Sequence, residues 1–243
     1  MQKTFTCIVT LLLSLALLSC SAEGKKIKNT PQQTSTSSGS QINYLALGDS
    51  YTIGQSVCTT CSFPEQLKER LATSSKYKNI KLDIIARTGW TSTNLNAAIQ
   101  VAKPTPTYDI VTVLIGVNNQ FQRVDFSVYE KEFASLVQQS IIFAKGNKNK
   151  VIVLSIPDYA YSPYGQSSSD PAKISFELDR YNAYAKTYCE KEGITFINIT
   201  DITRQGLQNP KLISEDGLHP SSLAYSLFTD QLYPLVISKL DQN

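Results

Sequence analysis

The chain is poor in several residue types, and each shortage excludes something. One His, one Met and one Trp occur in 243 residues. A single His excludes a metal site that needs two imidazoles. With 11 Gly and 10 Pro, the chain is neither collagen-like nor of low complexity. Charge of one sign is also scarce. The formal net charge is +3, and Lys3, Lys25, Lys26 and Lys28 face only Glu23 in the first 41 residues. Removing these from the 23 basic and 20 acidic residues leaves 19 of each in 42–243. That part has no bulk electrostatic reason to bind nucleic acid. At 42% hydrophobic, the chain is too apolar to be disordered. Its length suits one domain of ordinary size.

The apolar run at 8–18, IVTLLLSLALL, is shorter than the roughly 20 residues a spanning helix needs. With Lys3 before it and small residues after it, it fits the apolar region of an export signal. The segment closes Leu17-Leu18-Ser19-Cys20. This resembles the lipobox of bacterial lipoproteins and implies a signal over 1–19, lipidation of Cys20 and a membrane anchor facing the periplasm or cell surface. Ordinary cleavage near Ser21-Ala22, releasing a soluble exported protein, is the alternative. Residues 21–41 are polar apart from Ala22 and Ile27, and 20–41 is expected to be a flexible tether.

From residue 42 the pattern changes. Strands are expected at Ile42–Leu47, Ile80–Ala86, Asp109–Ile115, Val151–Ile156 and Ile194–Ile197. Between them, helical spacing is expected over Pro64–Thr73, Thr93–Ala102 and Phe126–Lys145. Further helices follow around Ile174 to Cys189 and at Ser222–Leu240, the last disturbed at Pro234. Alternating strands and helices imply an α/β fold, a parallel sheet covered on both faces. Ligands bind such sheets outside the carboxyl ends of the strands.

Four short blocks lie where that site is expected: Gly48-Asp49-Ser50-Tyr51, Arg87-Thr88-Gly89-Trp90, Gly116-Val117-Asn118-Asn119 and Asp216-Gly217-Leu218-His219-Pro220. A Ser hydroxyl attacks a carbonyl only if a base takes its proton. His219 is the available base, and Asp216, three residues earlier, can orient its ring. A tetrahedral oxyanion needs donors. The Ser50 N–H, the Gly89 N–H and the Asn118 side chain offer them.

The four blocks together resemble the SGNH hydrolases, the GDSL esterases and lipases. Their Ser, Gly, Asn and His fall here on Ser50, Gly89, Asn118 and His219, with Asp216 as the acid. The resemblance covers most of 42–243. It implies a flavodoxin-like three-layer sandwich, five parallel strands in the order 2-1-3-4-5, and ester hydrolysis without metal or cofactor. The short DGLHP block looks most like the lysophospholipase/thioesterase branch. A carbohydrate O-acetyl esterase is the alternative, and a non-catalytic binding lipoprotein on the same scaffold is a third reading. The sequence departs from the family at Tyr51, where Leu is usual, and at Asn119, where Asp is common. Asn119 puts the loop's bonding and its specificity in question. Thr52 excludes the G-x-S-x-G turn of the α/β-hydrolases.

Cys58-Thr59-Thr60-Cys61 reads first as a short-loop disulfide in an exported protein, with a thioredoxin-like redox pair as the alternative. Cys189 falls on the apolar face of its helix, as a buried thiol. Trp90, Phe121, Tyr159 and Tyr161 are candidate substrate walls, with Tyr164 beside them. Arg123 and Arg204 are candidates to meet an anionic group. The partners expected are a small-molecule or glycan ester and, through Cys20, a membrane. A monomer is expected.

Overall fold

A five-stranded sheet carries the protein: β1 (Ser40–Gly48), β2 (Tyr77–Ala86), β3 (Ile110–Leu114), β4 (Val151–Leu154) and β5 (Thr195–Ile197). Its order is β2-β1-β3-β4-β5, with every neighbouring pair parallel. This computed structural model describes residues 40–74 and 76–242. The expected signal at 1–19, the lipidated Cys20 and nearly all of the tether lie outside the described residues. β1 begins at Ser40, so Ser40 and Gln41 belong to the sheet rather than to the tether.

Position in the sheet sets the character of each strand. β3 and β4 are buried throughout, as central parallel strands covered on both faces must be. The one hydroxyl inside β3, Thr112 Oγ1, shares a hydrogen bond of 2.9 Å with the Tyr44 hydroxyl, so no polar group there is stranded. β2, at the edge, is largely exposed or half-buried.

Helices connect the strands: α1 (Ser50–Ile53), α2 (Phe63–Ala72), α3 (Ser92–Ala102), α4 (Val117–Phe121), α5 (Phe126–Phe143), α6 (Pro163–Gln166), α7 (Pro171–Glu192), α8 (Thr200–Thr203) and α9 (Ser222–Asp241). α2 packs with α9 in one layer, while α3, α5 and α7 pack in series in the other. The result is a three-layer α/β/α sandwich. An aromatic cluster joins α5 to α7, with Tyr129 and Tyr181 rings 4.6 Å apart. α9 covers the expected span and carries Pro234 inside it. Pro234 and Asp230 are both exposed, so water can satisfy the carbonyl that the missing N–H leaves free.

Register positions the site. Gly48, the last residue of β1, pairs with Ala86 on one side and Leu114 on the other. The three segments that follow these residues therefore start side by side at one end of the sheet.

Candidate active site

Gly48 lets β1 turn directly into α1. A Cβ there would lie 2.1 Å from Thr52 Oγ1 and 2.4 Å from the Leu114 carbonyl oxygen. Asp49 caps α1, its Oδ1 accepting the Tyr51 N–H at 3.0 Å. Asp49 is fully buried, and its Oδ2 has no hydrogen-bond partner among the described residues. Burial pushes its carboxyl up to about 8 despite the Tyr51 N–H, which favours the protonated form. Ser50 opens α1 and is 4% exposed.

The second part is a closed loop near the C-terminus. Ile213 and Pro220 form an isolated antiparallel bridge, and the Ser214 N–H donates to the His219 carbonyl at 2.8 Å. Inside it, Asp216 Oδ2 lies 2.6 Å from His219 Nδ1. Asp216 Oδ1 accepts the Leu218 and His219 N–H groups at 2.9 Å each and the Ser214 hydroxyl at 2.7 Å. The Ser56 hydroxyl donates to Oδ2 at 2.6 Å. Burial would raise the Asp216 pKa, but these hydrogen bonds outweigh it and hold the carboxyl well below the usual carboxylate range. An ionised Asp216 favours the proton on Nδ1, which leaves Nε2 as the basic nitrogen. The His219 ring stands edge-on to Tyr51, with centroids 5.7 Å apart. This contact brings the imidazole to the segment that carries Ser50.

Gly89 has φ +81, a left-handed backbone that favours glycine, and a Cβ there would meet no atom within 4 Å. Two side chains of α4 or its C-cap hold the carbonyls of this turn. Gln122 Nε2 donates to Gly89 O at 2.8 Å, and Asn118 Nδ2 donates to Trp90 O at 3.0 Å. Asn118 thus has one amide hydrogen engaged in positioning the turn, and no other described residue accepts the second.

The departure at Asn119 now has an explanation. Asn119 Oδ1 accepts the Ser92 N–H at 2.9 Å, and its Nδ2 donates to Ser92 Oγ at 2.7 Å. Ser92 Oγ in turn donates to Glu132, which also accepts from Thr93 at 2.8 Å. A donor at 119 leaves the Ser92 proton for Glu132, which a carboxylate at 119 would compete for.

The candidate wall residues separate into different places. Trp90 borders an open, mainly apolar groove of about 510 Å³ between β2 and α3, with Ile84, Ile85 and Ala98. Phe121 and Tyr159, with ring centroids 6.1 Å apart, border a different cavity of about 670 Å³ together with Arg123. Tyr159 is buried and donates to Gln120 at 2.9 Å. Half-exposed Tyr164 flanks Phe121, and Tyr161 lies under Arg204, 6.0 Å from its guanidinium. Arg204, a candidate to meet an anionic group, is paired within the protein. Its guanidinium is engaged by Asp158 at 2.9 Å and by Asp179 at 2.6 Å.

Cys58 and Cys61 are joined in a disulfide, with Cα atoms 5.0 Å apart. Cys189 is a buried free thiol, pushed up to about 12 by burial. Sequence reasoning missed Ser56, Ser214 and Gln122. Ser214 lies only two residues before the Asp216 block, where a hydroxyl can reach the carboxylate within one turn. Ser56 and Gln122 belong to no motif.

With this geometry in place, comparison with known proteins is decisive at the family level. Residues 46–227 match the GDSL-like Lipase/Acylhydrolase family. The chain belongs to that family, one of carboxylic ester hydrolases. The secreted effector protein SseJ of Salmonella typhimurium is 31% identical over 101 residues, 40% of this chain and 24% of SseJ. The chain therefore matches about a quarter of that relative's length. Among solved structures, TesA has a TM-score of 0.63 at 17% identity, covering 81% of this chain and 99% of its own. Axe2, an acetylxylan esterase from Geobacillus stearothermophilus, has a TM-score of 0.59 at 18% identity, covering 83% and 95%. The psychrotrophic esterase EstA from Pseudoalteromonas sp. has a TM-score of 0.57 at 18% identity, covering 82% and 99%.

Proposed function

We propose that this chain is a serine hydrolase of carboxylic esters that works through an acyl-enzyme on Ser50. The observation that carries the reading is the Asp216–His219 pair at 2.6 Å, with its imidazole against Tyr51, the neighbour of Ser50. Ser50 Oγ attacks the acyl carbonyl as His219 Nε2 takes its proton. Asp216 fixes the ring and stabilises the imidazolium. The Ser50 and Gly89 N–H groups and the second hydrogen of the Asn118 amide receive the oxyanion, each such donor contributing about 2.7–4 kcal/mol to the transition state. His219 returns the proton to the leaving alcohol, and water then cleaves the acyl-enzyme by the same route.

The substrate class we favour is a carbohydrate O-acetyl ester. Support comes from the fold shared with Axe2 and from the cavity of about 670 Å³, where aromatic Phe121 and Tyr159 stand with polar Gln120, Lys173 and Glu177. Aromatic faces beside hydrogen-bonding groups suit a hydroxylated ring. A lysophospholipid or other long-chain ester is the second reading, favoured by the apolar groove at Trp90. We place the protein outside the cytoplasm, anchored through Cys20. The Cys58–Cys61 disulfide suits an oxidising compartment.

The test is hydrolysis of p-nitrophenyl esters from acetate to long-chain acyl, and of acetylated oligosaccharides, by the full chain and its Ser50→Ala and His219→Ala forms. Turnover of acetyl esters, lost in both variants, is expected. Long-chain preference moves the substrate to the second reading. Undiminished rates in either variant overturn the mechanism. Absence of fluorophosphonate labelling on folded protein points to the non-catalytic binding reading.

A further inference from the structure

Ser56 stands in the turn between α1 and the Cys58–Cys61 disulfide, with φ +67. This is a left-handed backbone that a serine seldom adopts. Its hydroxyl reaches 160 residues along the chain to Asp216 Oδ2, at 2.6 Å. That oxygen is the one that faces His219 Nδ1. The other partners of Asp216 among the described residues, Ser214, Leu218 and His219, all belong to its own loop. Those bonds shape the loop but say nothing of where it sits relative to Ser50. Ser56 supplies that reference, because its turn follows directly on the nucleophile helix, with the Gln55 N–H donating to Ser50 O at 3.0 Å. The adjacent Gln55 side chain accepts the Thr88 hydroxyl at 2.6 Å, so the same turn also touches the segment carrying Gly89.

We propose that Ser56 is a positioning residue: its hydroxyl holds the Asp216 carboxylate, and through it the His219 ring, in register with the nucleophile segment. The inference rests on the hydrolase reading above. The strained backbone is the cost of aiming that hydroxyl. Donation to Oδ2 also withdraws negative charge from the oxygen that stabilises the imidazolium. Among the described residues, Tyr51 of α1 stands against the His219 ring, and Tyr225 of α9 feels the Asp216 charge. Burial holds both phenols neutral, far above their ordinary range.

The experiment compares Ser56→Gly and Ser56→Asn with the wild type. Glycine suits φ +67 and removes the hydroxyl, while asparagine tolerates the left-handed backbone and keeps a donor. Ser56→Gly is expected to melt no lower than wild type, yet to lose about tenfold in kcat with little change in KM. Its acid limb of kcat/KM should move about half a pH unit upward, as the unshared carboxylate favours the imidazolium. Ser56→Asn is expected to recover part of both. Wild-type kcat and pH profile in Ser56→Gly overturn the proposal.

A readout without turnover separates this proposal from the hydrolase reading. The chain has one His, so NMR of the untagged protein follows the His219 imidazole alone. If ester turnover proves independent of Ser50, the hydrolase reading fails. The positioning role then stands or falls on whether the imidazole titration moves upward in Ser56→Gly.

Discussion

Asn119 grips Ser92 with both ends of its amide, accepting the backbone N–H at 2.9 Å and donating to the hydroxyl at 2.7 Å. Ser92 is the first residue of α3, two residues after Trp90, so this pair anchors the segment that carries Gly89. The hydroxyl is then free to donate to Glu132. Asn119→Asp replaces the donor by a second carboxylate around one hydroxyl. It should cost about 1–3 kcal/mol, since a buried charge is left poorly compensated. Glu132→Gln should recover part of that loss in the double variant, read as coupling in urea denaturation. Additive losses would remove the shared-proton explanation.

Gly48 and Gly89 predict opposite failures. At Gly48 a Cβ would overlap Thr52 and the Leu114 carbonyl, so Gly48→Ala should destabilise by about 3 kcal/mol or leave the protein insoluble. At Gly89 a Cβ meets nothing, and only the positive φ opposes it, at about 1–2 kcal/mol. Gly89→Ala should therefore fold, while kcat falls about 10²-fold or more as the proposed oxyanion donor is displaced. Thermal melts beside initial rates check both. Full activity in Gly89→Ala would remove Gly89 from the oxyanion site.

Asp49 sets a pH dependence of stability. Burial raises its folded carboxyl to about 8, whereas an unfolded Asp ionises near about 3.9. Between these values the folded protein holds a proton that the unfolded chain releases. This contribution to stability is complete below about pH 4, declines as pH rises towards 8, and is level above it. Asp49→Asn cannot ionise, so it should remove up to about 1.4 kcal/mol per pH unit of slope in that window. Urea denaturation at fixed pH values measures it. An unchanged slope would mean that Asp49 is ionised in the folded protein.

Much of this was legible in the residues. The apolar run of β3 announced a strand buried on both faces, and the spacing of Ile174, Leu178, Tyr181, Ala185 and Cys189 marked the inward face of α7. One-turn helices such as α1 and α4 carry no periodicity and could not be seen. The aromatic candidates were less legible. Trp90, Phe121 and Tyr159 are each apolar enough to line a site, but only the packing shows that they border two separate spaces.

The sequence by itself determined the alternation of elements, the order of the four blocks, and the pairing of Asp216 with His219, because each depends on short spacings along one strand, helix or loop. The tertiary structure alone decided which segments meet. Gly48 lies between Ala86 and Leu114 because of strand register. Ser56 bonds Asp216, and Gln122 bonds Gly89, across 160 and 33 residues. Ser56 and Gln122 are exposed polar residues, which leave no trace in hydrophobic pattern. Their partners are set by where the strand ends stop, and that is a property of the whole sheet.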